Sequence, residues 1–213
     1  MEGKSVELIV ASNNSGKIRE YKDIFAPLGY RVLSQREKGI VLEVEETGGT
    51  FAENAALKAR AIWERTHCAV ISDDSGLEVE ALGGEPGIYS ARYKGLPTEH
   101  ARRLAILDGL RGAANRRARF VCCICFIDET GRERLFEGVW NGAIAEAEQG
   151  DSGFGYDPIF VSEDGGGKTT ASLPISFKET YSHRARAVRL LLQALRSEAD
   201  RHGEEQVGTT CPA

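Results

Sequence analysis

Residues 6–34 decide the fold, and they read VELIVASNNSGKIREYKDIFAPLGYRVLS. Val6 to Ala11 is an apolar run typical of a buried strand, and Gly16 to Leu28 repeats its apolar residues at helical spacing before Gly29 ends the pattern. Tyr30 to Ser34 then predicts a second strand. A strand, a helix and a strand in this order form a βαβ unit, so we expect the two strands to be parallel.

A second unit of the same kind follows. Val41 to Glu45 alternates apolar and acidic residues, which favours a strand, and Phe51 to Thr66 places its apolar residues on one helical face. A buried strand from Ala69 to Asp73 completes the unit. Segments 118–127 and 132–140 are predicted as two strands, and the turn residues Asp128-Glu129-Thr130-Gly131 between them predict a β-hairpin. Parallel units combined with a hairpin predict an α/β fold around a mixed sheet.

Two further helices are predicted, one capped by Thr98 and running through Leu110, the other capped by Ser182. The apolar pattern of the last helix ends near Glu198. We therefore predict one α/β domain over residues 1–198, and a disordered tail over 199–213, which is polar and aperiodic.

Composition narrows the class of protein. The chain has 213 residues and a formal net charge of −5, which argues against a nucleic-acid surface because such a surface needs basic residues to neutralise phosphates. A free nucleotide needs only a few local cations. The N-terminus lacks the apolar core of a signal peptide and no stretch is apolar enough to span a membrane, so we expect a cytoplasmic protein without a membrane partner.

The five cysteines lack the paired spacing of a zinc site or a disulfide framework. Three of them, Cys122, Cys123 and Cys125, lie in an unbroken apolar run that predicts a central strand. We therefore interpret these three as small core residues.

Two adjacent carboxylates, Asp73 and Asp74, follow the strand that begins at Ala69. Neighbouring anions repel each other, so a pair at a strand exit indicates a divalent cation, a cluster of donors or a substrate that neutralises it. The alternative is an Asp-Asp-Ser-Gly turn whose side chains bond to their own backbone.

Residues 12–17 join the first strand to the first helix, where backbone N–H groups and the helix dipole can bind an anion. Lys17 adds a positive charge, although the segment departs from a phosphate-binding Walker loop, and an ordinary capped turn is the alternative.

On the next helix Asn54 and Lys58 are four residues apart and share a face that can look toward the same cleft. Glu43, Glu45 and Glu46 precede that helix, either as a carboxylate site at the end of a strand or as a solvated edge.

A glycine-spaced aromatic loop, Gly153 to Pro158, combines close backbone approach, a π-face and a hydrogen-bond acceptor. A nucleobase uses all three, while a tight turn with one buried ring is the alternative. His183 and Arg184 begin the last helix, where two donors suit an acceptor oxygen on a ligand; a lone histidine at a helix start is more often a packing or capping residue.

Taken together, the motifs closely resemble the non-canonical purine NTP pyrophosphatase family, the inosine triphosphate pyrophosphatases or XTP/dITP diphosphatases. The resemblance spans residues 6 to 196 in order and without large gaps. The motifs that carry it are Ser12-Asn13-Asn14-Ser15-Gly16-Lys17, Glu46-Thr47-Gly48-Gly49-Thr50-Phe51-Ala52-Glu53-Asn54-Ala55, Asp73-Asp74-Ser75-Gly76-Leu77, Pro86-Gly87-Ile88-Tyr89-Ser90-Ala91-Arg92-Tyr93, Gly153-Phe154-Gly155-Tyr156-Asp157-Pro158 and Ser182-His183-Arg184.

The resemblance implies an elongated, two-lobed α/β fold around a long mixed sheet, an active-site cleft between the lobes, and a homodimer. It implies Mg²⁺-dependent cleavage of ITP, dITP and XTP to the monophosphate and pyrophosphate, with Mn²⁺ as a possible substitute. Asp74 is then the expected catalytic base and metal ligand, and Glu45 the second metal carboxylate. The expected substrate-binding residues are Ser12, Asn13, Asn14, Ser15, Gly16, Lys17, Lys58 and Ser75 for the triphosphate, and Phe154, Gly155, Tyr156, Asp157, Lys178, His183 and Arg184 for the base and sugar.

One departure from the family pattern is Ser172, where the family often has Glu; this position is not among the expected ligand contacts. Two alternative functions stay open. One is a related pyrophosphatase acting on pyrimidine or modified nucleotides, and the other is a nucleotide-binding sensor without turnover. Asp74 argues against the sensor, since a pure binder has little reason to keep a carboxylate beside phosphates.

Overall fold

In a computed structural model, residues 6–207 are described, with side chains as far as Glu198. The strands in this part of the chain form one sheet of six, in the order β2-β1-β3-β4-β5-β6. β1 is parallel to both β2 and β3, and every other pairing is antiparallel, so the predicted mixed sheet is confirmed. The strands are β1 (Glu7–Val10), β2 (Arg31–Ser34), β3 (Ala69–Val79), β4 (Arg117–Ile127), β5 (Glu133–Ile144) and β6 (Phe160–Ser162).

The predicted helices are confirmed, and most begin at a capping side chain. Thr50 accepts a hydrogen bond from the Glu53 N–H at 3.1 Å, and Thr98 caps its helix in the same way. These hydroxyls satisfy N–H groups that the first turn of a helix leaves unpaired. The helices are α1 (Ser15–Phe25), α2 (Phe51–Thr66), α3 (Glu99–Gly109), α4 (Ile175–Tyr181) and α5 (His183–Val207). The sequence patterns did not predict α4 or β6.

Residues 41–45 were predicted as a strand, and this prediction is wrong. The segment has no regular structure. Its side chains still alternate in exposure: Leu42 and Val44 are half-buried, whereas residues 41, 43 and 45 are exposed. A strand needs a neighbour to pair with, and both sheet positions beside β1 are occupied, one by β2 and the other by β3. The segment is instead tethered by Gln35, whose side-chain amide donates to the Leu42 carbonyl at 2.8 Å.

The alternation of strand side chains gives the sheet two apolar faces. Leu8 and Val10 of β1 pack in one cluster with Tyr21 and Phe25 of α1 and with residues of α5. Ile9 points to the opposite face and packs in a second cluster with residues of α2. Because successive side chains of a strand point to opposite faces, the same alternation decides where the polar residues of β3 lie. Cys122 belongs to the first cluster and Cys125 to the second, and both are buried as predicted, with Cys123 buried in a smaller one.

A separate apolar cluster lies at the far end of the long strands. Leu77 and Val79 of β3 pack there against Trp140 of β5 and against Ile106 and Leu110 at the end of α3. The three long strands therefore connect two packed regions, and the residues at the middle of β3 lie between them.

The last helix continues beyond the predicted boundary. α5 runs to Val207, although the apolar pattern ends near Glu198. A helix can continue past its last buried contact because each added residue contributes another main-chain hydrogen bond. Residues 208–213 of the predicted tail lie outside the described residues, and the division at residue 198 stays a prediction. Among the described helices, none has a stretch long and apolar enough to cross a bilayer.

Gly138 lies where α5 crosses β5, and it admits no larger residue. A Cβ built at this position would stand 2.1 Å from the His183 carbonyl oxygen and 2.5 Å from the Ala187 nitrogen, both backbone atoms of α5. We expect Gly138→Ala to push the helix off the sheet and to lower the free energy of unfolding by about 1–3 kcal/mol. Chemical denaturation measures this. Gly49→Ala is the matched control, since a Cβ there meets its nearest neighbour at an ordinary 3.6 Å; equal stabilities of the two variants would contradict the close approach.

Candidate active site

The sequence predicted that the third strand ends at Asp73, and this prediction is wrong. β3 continues through Asp73 and Asp74 to Val79. The strand is extended by pairing with β4, in which Asp73 faces Ile124 and Asp74 faces Cys123. The two carboxylates therefore point to opposite faces of the sheet and do not form one site. The pairing with β1 ends at Ile71, and farther along β3 the Leu77 N–H donates to Ser90 Oγ at 2.9 Å and the Val79 N–H to the Glu85 carbonyl at 3.1 Å.

Asp73 points toward α1 and α5, where it is neutralised by two cations. Its fully buried Oδ2 lies 2.8 Å from Lys17 Nζ and 3.2 Å from Arg184 Nη2. Burial by itself favours the neutral acid, but Lys17 and Arg184 outweigh it and hold the pKa of Asp73 well below its usual range. Arg184 also contacts Glu20 at 2.9 Å and Ser75 Oγ at 3.4 Å. Asp73 is therefore a buried counter-ion of Lys17 and Arg184.

Asp74 points toward α2. Asn54 Nδ2 donates to its Oδ2 at 3.1 Å, and the Ser75 N–H donates to its Oδ1 at 3.1 Å. Lys58 Nζ lies 3.7 Å from Oδ1. Burial raises the pKa of Asp74, and Lys58 only partly offsets this effect. A carboxylate of this kind is poised to accept a proton or to bind a cation.

Asn54 was not predicted as a site residue, yet it fixes the orientation of Asp74. Its side chain is fully buried, and its Oδ1 accepts from the Gly48 N–H at 2.8 Å while its Nδ2 donates to Asp74. One amide therefore joins the loop before α2 to the carboxylate. The four-residue spacing from Lys58 was the available signal.

Glu46 forms ion pairs with two cations that line the same cleft. Its carboxylate accepts from Lys58 at 2.8 Å and from Arg92 at 3.0 Å, and these charges outweigh burial and lower its pKa. Burial lowers the pKa of Lys58, but Asp74 and Glu46 outweigh that effect and keep it raised. Glu45, the predicted second metal carboxylate, is exposed.

The start of α1 differs from the predicted anion site in one respect. Asn14 is the N-cap, and its Oδ1 accepts from the Gly16 N–H at 2.9 Å and from the Lys17 N–H at 3.2 Å. Two of the N–H groups that were expected to face a ligand are thus bound to Asn14. The positive end of the helix dipole and the Lys17 ammonium still lie beside the cleft.

A cleft of about 800 Å³ brings together residues from distant parts of the sequence. Its walls are formed by the start of α1, the segment before α2, the middle of β3 and the 87–95 segment, which is a 3₁₀ helix with a kink. The predicted site residues that line it are Ser12, Asn13, Asn14, Lys17, Glu45, Lys58, Asp74 and Ser75.

A smaller cavity of about 180 Å³ adjoins this cleft, because Asn14, Ser75 and Ala91 line both. Of the predicted residues, Phe154, Gly155, Tyr156 and His183 also line the cavity. Its other walls come from residues that were not predicted as ligand contacts: Gly76, Ser90, Glu99, Arg102 and Phe120. The two spaces together form one polar cleft ending in a partly aromatic pocket.

The remaining predicted residues lie outside the lining of these two spaces within the described chain: Ser15, Gly16, Asp157, Lys178 and Arg184. Asp157 is buried and shapes the aromatic loop. Its Oδ2 accepts from the Phe154 N–H at 2.9 Å and from Lys178 Nζ at 2.5 Å, while Thr170 donates to its Oδ1 at 3.0 Å. Lys178 also lies 4.6 Å above the Phe154 ring. These two residues support the loop from behind.

His183 forms part of the pocket wall through a stack of rings. It lies nearly parallel to Phe120, with ring centroids 4.8 Å apart. Burial, followed by the charges of Arg184 and Lys178, lowers the pKa of His183 well below its usual value, so the ring is neutral at pH 7. Its Nδ1 is buried without a hydrogen-bond partner among the described residues. Phe154 lines the pocket and is 46% exposed.

The arrangement suits a ligand with a long anionic part and a flat ring. Lys17, Lys58 and Arg92 place positive charge around the larger cleft, and Asp74 supplies an oriented carboxylate beside it. The smaller pocket offers aromatic faces and a neutral imidazole. The described residues include no group of three or more His, Cys, Asp or Glu side chains that could hold a metal ion by themselves.

Comparison with known proteins agrees with this geometry. The Ham1 family matches residues 8–194. A dITP/XTP pyrophosphatase of Thermus thermophilus is 42% identical over 90% of this chain and 92% of its own length, and the dITP/XTP pyrophosphatase of Bacillus subtilis is 43% identical over 89% and 96%. The structure of the Staphylococcus aureus Ham1 protein superposes with a TM-score of 0.84 and 44% identity, covering 90% of this chain and 99% of the other. The chain belongs to the Ham1 family.

Proposed function

We propose that this protein hydrolyses non-canonical purine nucleoside triphosphates, dITP, ITP and XTP, to the monophosphate and pyrophosphate. The observation that carries the proposal is one continuous cleft in which Asp74 and three cations adjoin an aromatic pocket. The relatives named dITP/XTP pyrophosphatases, similar over nearly the whole chain, support the same activity.

The triphosphate would lie in the larger space and the base in the smaller one. Lys17, Lys58 and the start of α1 would bind the phosphate oxygens, because positive charge and the helix dipole both favour anions there. Lys58 also fixes the local geometry, since its Nζ donates to the Asp73 carbonyl at 2.9 Å. Asp74, held by Asn54 and by the Ser75 N–H, would accept the proton of the attacking water.

The carboxylate oxygens of Asp74 and Glu45, which line one cleft, are ligands of the kind that a hard divalent cation prefers. Nucleotide pyrophosphatases generally need such an ion, and we propose Mg²⁺, with Mn²⁺ as a substitute. Mg²⁺ prefers oxygen ligands and is commonly held by one or two carboxylates together with substrate phosphates, so a preformed cluster of three side chains is not required. Asp74 and Glu45 line the same cleft and would hold it. When bound, the metal lowers the pKa of water and neutralises phosphate charge.

Activity should therefore stop in excess EDTA and return with added Mg²⁺ or Mn²⁺. The measurement is pyrophosphate release from ITP before and after chelation and re-addition. The same buffer exchange without chelator serves as the handling control. Full turnover in excess chelator would contradict the proposed roles of Asp74 and Glu45.

Base selection would depend on donors that meet the 6-oxo group. His183 is a neutral ring in the pocket wall and can donate one N–H, while Phe154 stacks on the base. Arg184, the other predicted donor, is engaged with Asp73 and Glu20, and its role toward the base stays a prediction. Adenine presents an amino group at the same position, so unpaired donors would cost about 1–3 kcal/mol each and ATP should be a poor substrate.

The decisive experiment is a panel of ITP, dITP, XTP, ATP, GTP, CTP and UTP with pyrophosphate detection. Preference for ITP, dITP and XTP supports the proposal. Preference for a pyrimidine would indicate a different base pocket, and binding of ITP without release of pyrophosphate would indicate a sensor.

We further propose that the protein acts in the cytoplasm as a homodimer on free nucleotides. The net charge of −5 supports a free nucleotide over nucleic acid as its substrate. Light scattering coupled to size-exclusion chromatography measures the assembly.

A further inference from the structure

Gly155 lies in the wall of the aromatic pocket, and helix α3 binds both of its main-chain polar groups. Its N–H donates to Glu99 Oε2 at 2.9 Å, and its carbonyl accepts from Arg103 Nη1 at 2.8 Å. Glu99 and Arg103 are four residues apart on α3, with their charged groups 3.7 Å from each other. One helical turn therefore presents an acceptor and a donor that match the two polar groups of a single residue.

The donor side of this contact is fixed from a third point. Arg103 Nε lies 2.5 Å from Glu148 Oε1, and the Arg103 side chain is only 14% exposed. Glu148 also contacts His100 at 3.0 Å. A guanidinium that binds two partners in its own plane has little freedom to move, so the Gly155 carbonyl is bound to a rigid donor.

The backbone at Gly155 adopts a conformation that favours glycine. Its φ is +62°, and a Cβ built there would meet nothing within 4 Å, so the glycine serves conformation rather than close packing. Asp157, which lies outside the pocket lining, binds the Phe154 N–H. The loop that carries the ring we assign to base stacking is thus fixed at Phe154 by Asp157 and at Gly155 by α3.

We propose that Glu99 and Arg103 are positioning residues that set the aromatic loop for purine recognition. The proposal rests on the proposed function and extends it. It states that α3 contributes to base selection because Glu99 and Arg103 bind the backbone of the aromatic loop. Displacing Gly155 shifts Phe154 against His183 across the pocket, whereas the triphosphate cleft beside Lys58 keeps its own contacts.

The test measures kcat and KM for ITP and ATP, together with inhibition by tripolyphosphate, which lacks a base. In Glu99→Ala and Arg103→Ala we expect KM for ITP to rise about tenfold and the ITP-to-ATP ratio of kcat/KM to fall by a similar factor. Inhibition by tripolyphosphate should change less than about twofold, because the phosphate-binding residues are untouched.

Conservative and matched variants separate positioning from stability. Glu99→Gln keeps an acceptor for the Gly155 N–H and should restore the ITP preference. Arg111→Ala removes an exposed ion pair with Asp108 near the end of the same helix, away from the loop, and should leave all three readouts unchanged. If Arg103→Ala does not fold, Arg103→Lys takes its place, because it keeps the charge but loses the forked pair of donors that joins Gly155 to Glu148, whereas Glu99 itself lines the pocket.

Equal losses for ITP, ATP and tripolyphosphate, or an unchanged ITP-to-ATP ratio, would overturn the positioning role. Wild-type protein that hydrolyses none of the nucleotides would instead contradict the proposed function. A wild type that prefers ITP, with variants that keep this preference, contradicts only the inference about α3.

Discussion

Asp74→Asn should lower turnover of ITP by ~10³-fold or more while leaving the protein folded, because one residue serves both as base and as metal ligand. The variant keeps the shape of the side chain but removes the charge. Asn54 can still donate to the new amide oxygen, and Lys58 keeps Glu46 at 2.8 Å and the Asp73 carbonyl at 2.9 Å. Burial already disfavours the Asp74 anion, but the new amide NH₂ would face the Ser75 N–H, so we expect the free energy of unfolding to fall by about 1–2 kcal/mol.

Steady-state pyrophosphate release, with calorimetric binding of ITP to the inactive variant, checks both parts of this expectation. Asp108→Asn is the matched control, since Asp108 is 58% exposed and pairs with Arg111 on the surface of α3. Near-wild-type turnover in Asp74→Asn would remove Asp74 from the mechanism. Loss of turnover together with unfolding would mean that the residue acts through stability.

The neighbouring acids Asp73 and Asp74 mark the limit of what their local sequence can predict. Two adjacent carboxylates before Ser-Gly favour a turn or a shared metal, and both interpretations assume that the strand ends. The strand continues because β4 pairs with it in register from Ile127 to Ala118, a tertiary contact that local sequence does not contain. Once the strand is extended, the two-residue period alone separates the acids onto opposite faces.

Helix α2 was predicted with its observed bounds, Phe51–Thr66, because local signals agree. Its apolar spacing is helical, Thr50 is a strong N-cap, and the chain passes directly into a β-rich segment after residue 67. The spacing of Asn54 and Lys58 predicted a shared face toward the cleft; both lie beside Asp74, but only Lys58 lines the cleft and Asn54 is fully buried. Local chemistry was sufficient here because the relevant residues lie on one element.

The contacts that complete the site join residues far apart in the chain, and these could not be predicted. Arg92 binds Glu46, 46 residues away, and Gly155 binds Glu99, 56 residues away. Neither pair has a spacing that distinguishes it from an exposed charge or a flexible glycine. The motifs indicated which segments line the cleft, whereas the sheet order decides which side chains meet.

Asp73→Asn should be the most destabilising of the variants considered. The substitution leaves Lys17 without a counter-ion and Arg184 with Glu20 alone, in surroundings where the Lys17 and Arg184 side chains are only 14% and 7% exposed. Removing one partner of a buried ion pair costs about 3–5 kcal/mol, because the remaining charge is neither solvated nor paired. Asp74→Asn, the adjacent change of the same chemistry on the other face, should cost less, so the pair of variants isolates the effect of the facing cations.

The pH dependence of stability tests the same assignment. Because the folded-state pKa of Asp73 is depressed, its contribution is fully present above the unfolded value of about 3.9 and is lost as the pH falls below it. Wild-type stability should therefore fall steeply below about pH 4, and the slope should be smaller in Asp73→Asn, which has no carboxylate to protonate. Urea denaturation from about pH 3 to 7 measures both. Equal slopes, with a stability loss below about 1 kcal/mol at neutral pH, would show that Lys17 and Arg184 do not depend on Asp73 for their charge balance.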